Sequence, residues 1–371
     1  MGRIPTGSKT ARTGEEKVAY LILANGEIFE GKSIGASCTG VGELVFTTGM
    51  VGYLETLTDP SYAGQMVLQT FPVIGNYGVI PEDFEGKSAV RGYVVRELCD
   101  TPSNFRSEGI LNEFLKKQGI PGICGVDTRQ LTRTIREYGV LNAMICQEIP
   151  EDMSMLENFT VKDVVRDVST KEKKVYPPEG ETLYRVTLMD FGVKRSIIDK
   201  LRKRGCCVTV VPFETKASDI LKDDPDGIVL SNGPGDPKDN KKSIREVKKL
   251  LGKKPVMGIC LGHQITALAM GGDTGKLKYG HRGGNQPVKD MNSGRTFITS
   301  QNHGYEVLAD TLKGVGYESF VNANDGTNEG MEYPGMNCFT VQFHPEACSG
   351  PHDTGFLFDR FTKMMEDFKN A

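Results

Sequence analysis

Apolar residues in the first part of the chain come in short β-rich runs, Val18–Ala24, Glu43–Thr47, Gln65–Phe71 and Ala89–Val95, separated by Gly, Pro, Asn and Asp. Runs of that length between turn formers predict strands. The stretches Glu108–Gln118 and Arg129–Tyr138 space their apolar positions as helices do. Together they predict an α+β N-terminal domain over residues 17–150. Residues 1–16 are polar, show no periodicity and lack the apolar core of a signal peptide, so they read as a flexible tail.

The pattern then changes. Alternating charge, Lys171-Glu-Lys-Lys-Val-Tyr176 and Pro177-Pro178-Glu-Gly180 cannot continue a helix and mark a linker region over 151–182. From residue 183 strands and helices alternate: Tyr184–Met189, Cys207–Pro212, Gly227–Ser231 and Val256–Cys260 as strands, with Ser196–Lys203, Ser243–Leu251 and Leu261–Met270 as helices. This alternation predicts βαβ units, hence an α/β domain over 183–371 with a mostly parallel open sheet covered by helices on both faces. Sites in such sheets form at the carboxyl ends of strands.

A length of 371 residues agrees with two domains. A net charge of -3, with 45 basic and 48 acidic residues intermixed, offers no field for nucleic acid or an anionic membrane. The longest apolar run near the start, Val18–Ala24, is far short of the roughly 20 residues a spanning helix needs, so a cytoplasmic protein is expected. Nine cysteines without a C-x-x-C pair suggest reduced thiols. The five histidines do not pair with cysteines at ligand spacing, so no metal is expected on this chain.

Chemistry concentrates in four segments. Gly258-Ile-Cys260-Leu-Gly262 follows an apolar strand and leads into a helix, the arrangement of a nucleophile elbow with sulfur in place of oxygen. The helix N-terminus favours a thiolate, and the N–H of Leu261 offers an oxyanion donor. Phe343-His344-Pro345-Glu346 supplies a base and an orienting carboxylate. Proline biases His344 toward extended backbone, where residues i and i+2 point the same way. Asn232-Gly233-Pro234-Gly235-Asp236-Pro237 lets backbone N–H groups approach a ligand, and Ser300-Gln-Asn302-His303-Gly304-Tyr305 reads as a polar, turn-forming rim. Each segment alone has an ordinary structural reading: a buried thiol, a surface His beside a chance Glu, a Gly/Pro connection, a turn.

In the order loop, thiol, rim, His/Glu, the four resemble the class I (triad) glutamine amidotransferase domain. The resemblance covers residues 183–371 and implies a triad of Cys260, His344 and Glu346. It further implies glutamine binding by Gly233, Gly235, Leu261, Gln264, Asn302, Gly304 and Tyr305. Residues 18–150 resemble the N-terminal domain of carbamoyl-phosphate synthetase small subunits through Phe46-Thr-Thr-Gly-Met50-Val-Gly-Tyr53, Leu57-Thr-Asp-Pro-Ser-Tyr62, Gly75-Asn-Tyr77 and Gly125-Val-Asp-Thr-Arg129. Asp190-Phe-Gly-Val-Lys-Arg195, Gly280-His-Arg-Gly-Gly-Asn285 and Ser349-Gly-Pro-His-Asp353 look like the same subfamily. Where some relatives place a glutamine-contacting Ser this chain has Gly49, so a contact there would come from backbone.

Gly26-Glu-Ile-Phe-Glu-Gly31-Lys32-Ser33 matches the P-loop pattern, but Asn25-Gly26 is a hairpin signal and Glu27 and Glu30 would oppose phosphate. No cofactor is therefore expected on this chain. The resemblance implies a large subunit that carries ATP, Mg2+ and bicarbonate, in a heterodimer or higher oligomer, feeding arginine or pyrimidine synthesis. Two rivals are a free-standing γ-glutamyl or peptide hydrolase, which the elbow alone would permit, and a non-catalytic scaffold subunit, which would not need Cys260.

Overall fold

Gly26, at φ 90°, closes a hairpin between β1 (Val18–Leu23) and β2 (Ile28–Gly35) in the computed structural model, which describes residues 17–347 and 349–371. The P-loop-like segment is this hairpin. The segment 1–16, read as a tail, lies outside the described residues. β3 (Gly40–Thr47), β4 (Gln65–Gln69), β6 (Gly92–Val94), β8 (Pro121–Cys124) and β9 (Leu141–Cys146) complete a closed barrel in the order β1-β2-β8-β6-β4-β3-β9. β5 (Val73–Ile74) and β7 (Glu97–Leu98) form a separate small ladder.

The expected mixture of strands and helices is present, but the barrel was not legible from it. Alternate residues explain the near-continuous apolar runs. Leu44, Met66, Leu68 and Val94 pack with Leu131 and Ile135 of the helix Thr128–Tyr138. Val45, Val67, Tyr93 and Val95 pack with Leu54, Leu57 and the helix Leu111–Gln118. Both faces of these strands are buried, so the period of two is masked by apolar residues on each side.

The second sheet comprises β10 (Lys174–Tyr176), β11 (Tyr184–Asp190), β12 (Cys206–Pro212), β13 (Gly227–Leu230), β14 (Val256–Ile259), β15 (Asp273–Asp290), β16 (Thr296–Leu308), β17 (Tyr317–Asn322), β18 (Asn328–Tyr333) and β19 (Cys338–Val341). Their spatial order is β10-β12-β11-β13-β14-β19-β18-β17-β15-β16. The helix Arg195–Arg202 and the C-terminal helix Phe356–Asn370 cover one face through Ile197, Leu201, Phe358 and Phe361. The helices Lys241–Leu250 and Leu261–Ala269 cover the other through Val247, Leu250, Leu261 and Ile265.

Three expectations need correction. The sheet is parallel only across β12, β11, β13, β14 and β19, and the remaining strands pair antiparallel. Beyond residue 272 the α-helical crossovers stop: β15–β16, β17–β18 and β18–β19 are joined by short turns, which reverse the chain. Part of the proposed linker is built into the domain: β10 is an edge strand on β12, and the short helices Ser154–Glu157 and Val165–Val168 precede it. The Ser300–Tyr305 rim is not a turn but the middle of β16, paired with β15 across two register shifts. Those irregularities let polar residues of a strand face a cleft.

Candidate active site

Cys260 occupies the junction between β14 and the helix Leu261–Ala269 with φ 53° and ψ −103°, a conformation few side-chain-bearing residues adopt. Its N–H donates to Val341 O at 2.8 Å, and Gly262 N–H donates to Ser231 O at 3.0 Å. The flanking glycines are required by close approach: a Cβ at Gly262 would meet Leu230 O at 2.2 Å, and one at Gly258 would meet Gly262 backbone at 2.9 Å. The sulfur is thereby presented at the carboxyl end of β14, beside the first N–H groups of the helix, which have no intrahelical acceptor.

β19 lies parallel and adjacent to β14, so the chain leaving Val341 passes next to Cys260. His344 N–H donates to Ser300 O at 2.9 Å, pinning it across β16. His344 Nδ1–H donates to Glu346 Oε1 at 2.6 Å. Nε2 finds no conventional partner among the described residues, and the neighbour acting on that imidazole is the Cys260 thiol. Burial alone would pull His344 down, but the Glu346 carboxylate and the Cys260 thiol together outweigh it and raise the imidazole to about 10. Burial would raise the Glu346 carboxyl, yet the Lys194 and His344 cations hold it at about 2. A thiol beside an imidazole that is itself hydrogen-bonded to a carboxylate can perform nucleophilic attack with proton transfer.

Lys194 was not singled out as a site residue by the sequence reading. Its Nζ lies 3.0 Å from Glu346 Oε1 and 3.5 Å from Glu85 Oε1, at 9% side-chain exposure. Burial disfavours the ammonium, but Glu346, Glu85 and Asp59 together raise it well above its ordinary value. The one available signal was its place at the end of β11, in the segment Asp190–Arg195.

Two clefts meet at Asn302. The first, of about 240 Å³, gathers Cys260 with Gly233, Gly235, Gln264, Asn302, Gly304 and Tyr305. Leu261 is buried at the first helical position, its side chain so close to Gly233 that a Cβ there would meet Leu261 Cδ2 at 2.8 Å. Gln264 Nε2 donates to Tyr305 O at 2.8 Å and Gln342 Oε1 at 2.9 Å, fixing the wall. Arg282, which the sequence reading gave no role, lines this cleft too, its guanidinium lowered by burial. Gly49 is not in this group. It lines the second cleft, of about 450 Å³, with His344, Ser300 and Lys194.

The N-terminal domain completes the walls. Asn302 Nδ2 donates to Asp59 Oδ2 at 3.1 Å, and Asn232 Nδ2 donates to Ser61 Oγ at 2.8 Å. Behind the first cleft His281, His303 and Glu329 bring donor atoms within 4.8 Å of one another, a juxtaposition that spacing did not reveal. His281 Nε2 lies 2.8 Å from Asp325 and Nδ1 lies 3.5 Å from Glu329. Burial opposes its charge, but Glu329 and Asp325 together raise the imidazole above its ordinary value.

Residues 187–364 match the family model "Glutamine amidotransferase class-I", and residues 21–145 match "Carbamoyl-phosphate synthase small chain, CPSase domain". Among curated proteins, the carbamoyl phosphate synthase small chain of Bacillus cereus is 50% identical over 94% of this chain and 96% of its own length. That of Clostridium perfringens is 50% identical over 93% of this chain and 99% of its own. Both domain models and near full-length identity agree with the geometry, and the chain belongs to the carbamoyl phosphate synthase small-chain family.

Proposed function

We propose that this chain is the glutaminase subunit of a carbamoyl phosphate synthase, hydrolysing L-glutamine at Cys260. The observation that carries the reading is the Cys260–His344–Glu346 arrangement at the ends of two neighbouring parallel strands, opening on a cleft sized for an amino acid. The Cys260 sulfur attacks the side-chain amide carbon, and the C–N bond breaks as His344 passes a proton to the departing nitrogen, giving ammonia and a thioester. Water then attacks the thioester, His344 takes its proton, and glutamate leaves as the thiol re-forms. Backbone N–H groups of Leu261 and the Gly233–Gly235 loop stabilise the oxyanion in both steps. Gln264, Asn302, Gly304 and Tyr305 hold the amino-acid end, with Gly49 reaching the triad from the His344 side.

Ammonia passes to a large subunit that binds ATP, Mg2+ and bicarbonate, in a heterodimer or higher assembly serving arginine or pyrimidine synthesis in the cytoplasm. No cofactor is needed on this chain. Among the described residues no helix is long and apolar enough to cross a membrane. The domain organisation that suits this role is a small-subunit domain over 17–150, a connecting region over 151–182 whose strand β10 already pairs with the second sheet, and an amidotransferase domain over 183–371.

The test is ammonia release from glutamine by the chain alone, then with its large subunit, ATP and bicarbonate. Strong stimulation by the partner is expected, and Cys260→Ala should lose it while the complex still makes carbamoyl phosphate from free ammonia. Retained glutamine use in Cys260→Ala would sink the mechanism; brisk partner-independent hydrolysis would favour a free-standing hydrolase.

A further inference from the structure

Glu85 belongs to the N-terminal domain, is only 3% exposed, and bonds Arg195 and Ser196 of the catalytic domain. Its Oε2 accepts from Ser196 N–H at 3.0 Å and its Oε1 from Ser196 Oγ at 2.8 Å. Its backbone N–H donates to Thr58 Oγ1 at 2.9 Å, and its carbonyl accepts from Arg195 N–H at 2.9 Å. The carboxylate is thus held at two points and its backbone at two more, and the cation it faces is Lys194, 3.5 Å away. Lys194 in turn lies against the same Glu346 oxygen that receives the His344 Nδ1 proton. A continuous line of alternating charge runs from one domain to the triad of the other.

We propose that Glu85 is a positioning residue for the triad: it shares Lys194 with Glu346 and thereby sets the electrostatic field at His344. The inference rests on the reading of Cys260 and His344 as nucleophile and base. A buried ammonium with one carboxylate would be drawn wholly to Glu346, weakening the pull of that carboxylate on the imidazole. A second carboxylate shares the cation, so Glu346 keeps its negative character toward His344. The low-dielectric surroundings make each of these charges act strongly on the next.

The charged and titratable groups facing Lys194 are Glu85, Glu55, Asp59 and Tyr62 from the N-terminal domain, and Glu346 and His344 after β19. His344 itself faces Glu346, Lys194 and Cys260, with His303 approaching from β16. Burial pushes the Glu55 carboxyl up to about 7, and because Glu85 raises it and Lys194 lowers it, each variant below is also compared in a Glu55→Gln background, where that titration is absent. Removing a negative charge lowers the ionisation range of each neighbour, and removing a positive charge raises it.

The experiment measures kcat/KM for glutamine hydrolysis against pH in the complex with the large subunit, for wild type, Glu85→Gln and Lys194→Met. In parallel, the rate at which iodoacetamide alkylates Cys260 is followed against pH by mass spectrometry of its peptide, a readout independent of turnover. Glu85→Gln should move both profiles to lower pH by about half a unit to one unit. Lys194→Met should move them to higher pH. A glutamine at position 85 can still bond Ser196, so the fold should survive. Should it not, Glu85→Asp keeps the charge but withdraws it by one methylene and is expected to shift the profiles in the same direction by less. Profiles that superimpose on wild type, whatever happens to the rate, overturn the proposal and leave Glu85 a merely structural clamp. If the wild-type complex hydrolysed no glutamine, the glutaminase reading would fall, and the alkylation profiles would still decide the role of Glu85.

Discussion

Gly233, Cys260 and His344 follow the carboxyl ends of three adjacent strands, β13, β14 and β19, whereas Asp59, Ser61 and Glu85 reach the same centre from loops of the other domain. In the proposed mechanism the first group carries the reacting atoms. The second presents none to the substrate cleft; it provides acceptors for the buried donors Asn302 Nδ2, Asn232 Nδ2 and Lys194 Nζ. Losing a reacting group removes chemistry outright. Losing an acceptor leaves a buried polar atom unsatisfied, which costs about 1–3 kcal/mol and displaces whatever that atom was holding. The amidotransferase domain thus contains a complete triad but an incomplete cleft.

The largest test of this division is His344→Asn, expected to lower glutamine-dependent turnover by about 10³-fold or more while ammonia-dependent synthesis by the complex continues. Near-normal glutamine turnover would remove His344 from the reacting group. Next, Gly233→Ala adds a Cβ that would meet Phe191 O at 2.3 Å, shifting the loop that flanks Leu261. Displacing an oxyanion donor should slow hydrolysis by about 10²–10³-fold without ending it; steady-state kinetics with unchanged ammonia-dependent activity would show this.

Asp59→Asn probes the other half. Its new amide must turn its NH2 either toward the donor Asn302 Nδ2 or toward Ser61 N–H, which donates to Asp59 Oδ1 at 2.8 Å in the wild type. We expect kcat/KM for glutamine to fall about ten-fold, chiefly through KM, because Asn302 is a wall of the cleft and not a reacting group. A loss confined to kcat would break the comparison.

The smallest effect is on stability. His344 is raised from 6.5 to about 10 in the folded protein, so its contribution is complete below 6.5 and is lost as pH rises toward 10. Glu346 is depressed from 4.5 to about 2, so its contribution is present above 4.5 and is lost as pH falls toward 2. Thermal unfolding of the wild type should therefore decline between pH 6.5 and 10, and His344→Asn should flatten that slope; an unaltered slope would argue against the raised imidazole.

What the sequence determined by itself was local. The strand–Cys–helix elbow, the His344-Pro-Glu346 pairing and the βαβ alternation from 183 to 270 each lie within a few residues or one element, where backbone conformation and periodicity suffice. The expected contact between His344 and Glu346 is present at 2.6 Å because it spans two positions. What only the tertiary structure decided is remote. Lys194 meets Glu346 across 152 residues, Asn302 meets Asp59 across 243, and Ser196 meets Glu85 across 111. No periodicity encodes such partners, because pairing of buried charges depends on which surfaces the fold brings together. Barrel closure, the antiparallel flank of the second sheet, the placement of Ser300–Tyr305 within β16 and of Gly49 on the second cleft share that cause. Strand neighbours and register are settled by packing among distant segments, and a local pattern of apolar and polar positions is compatible with several of them.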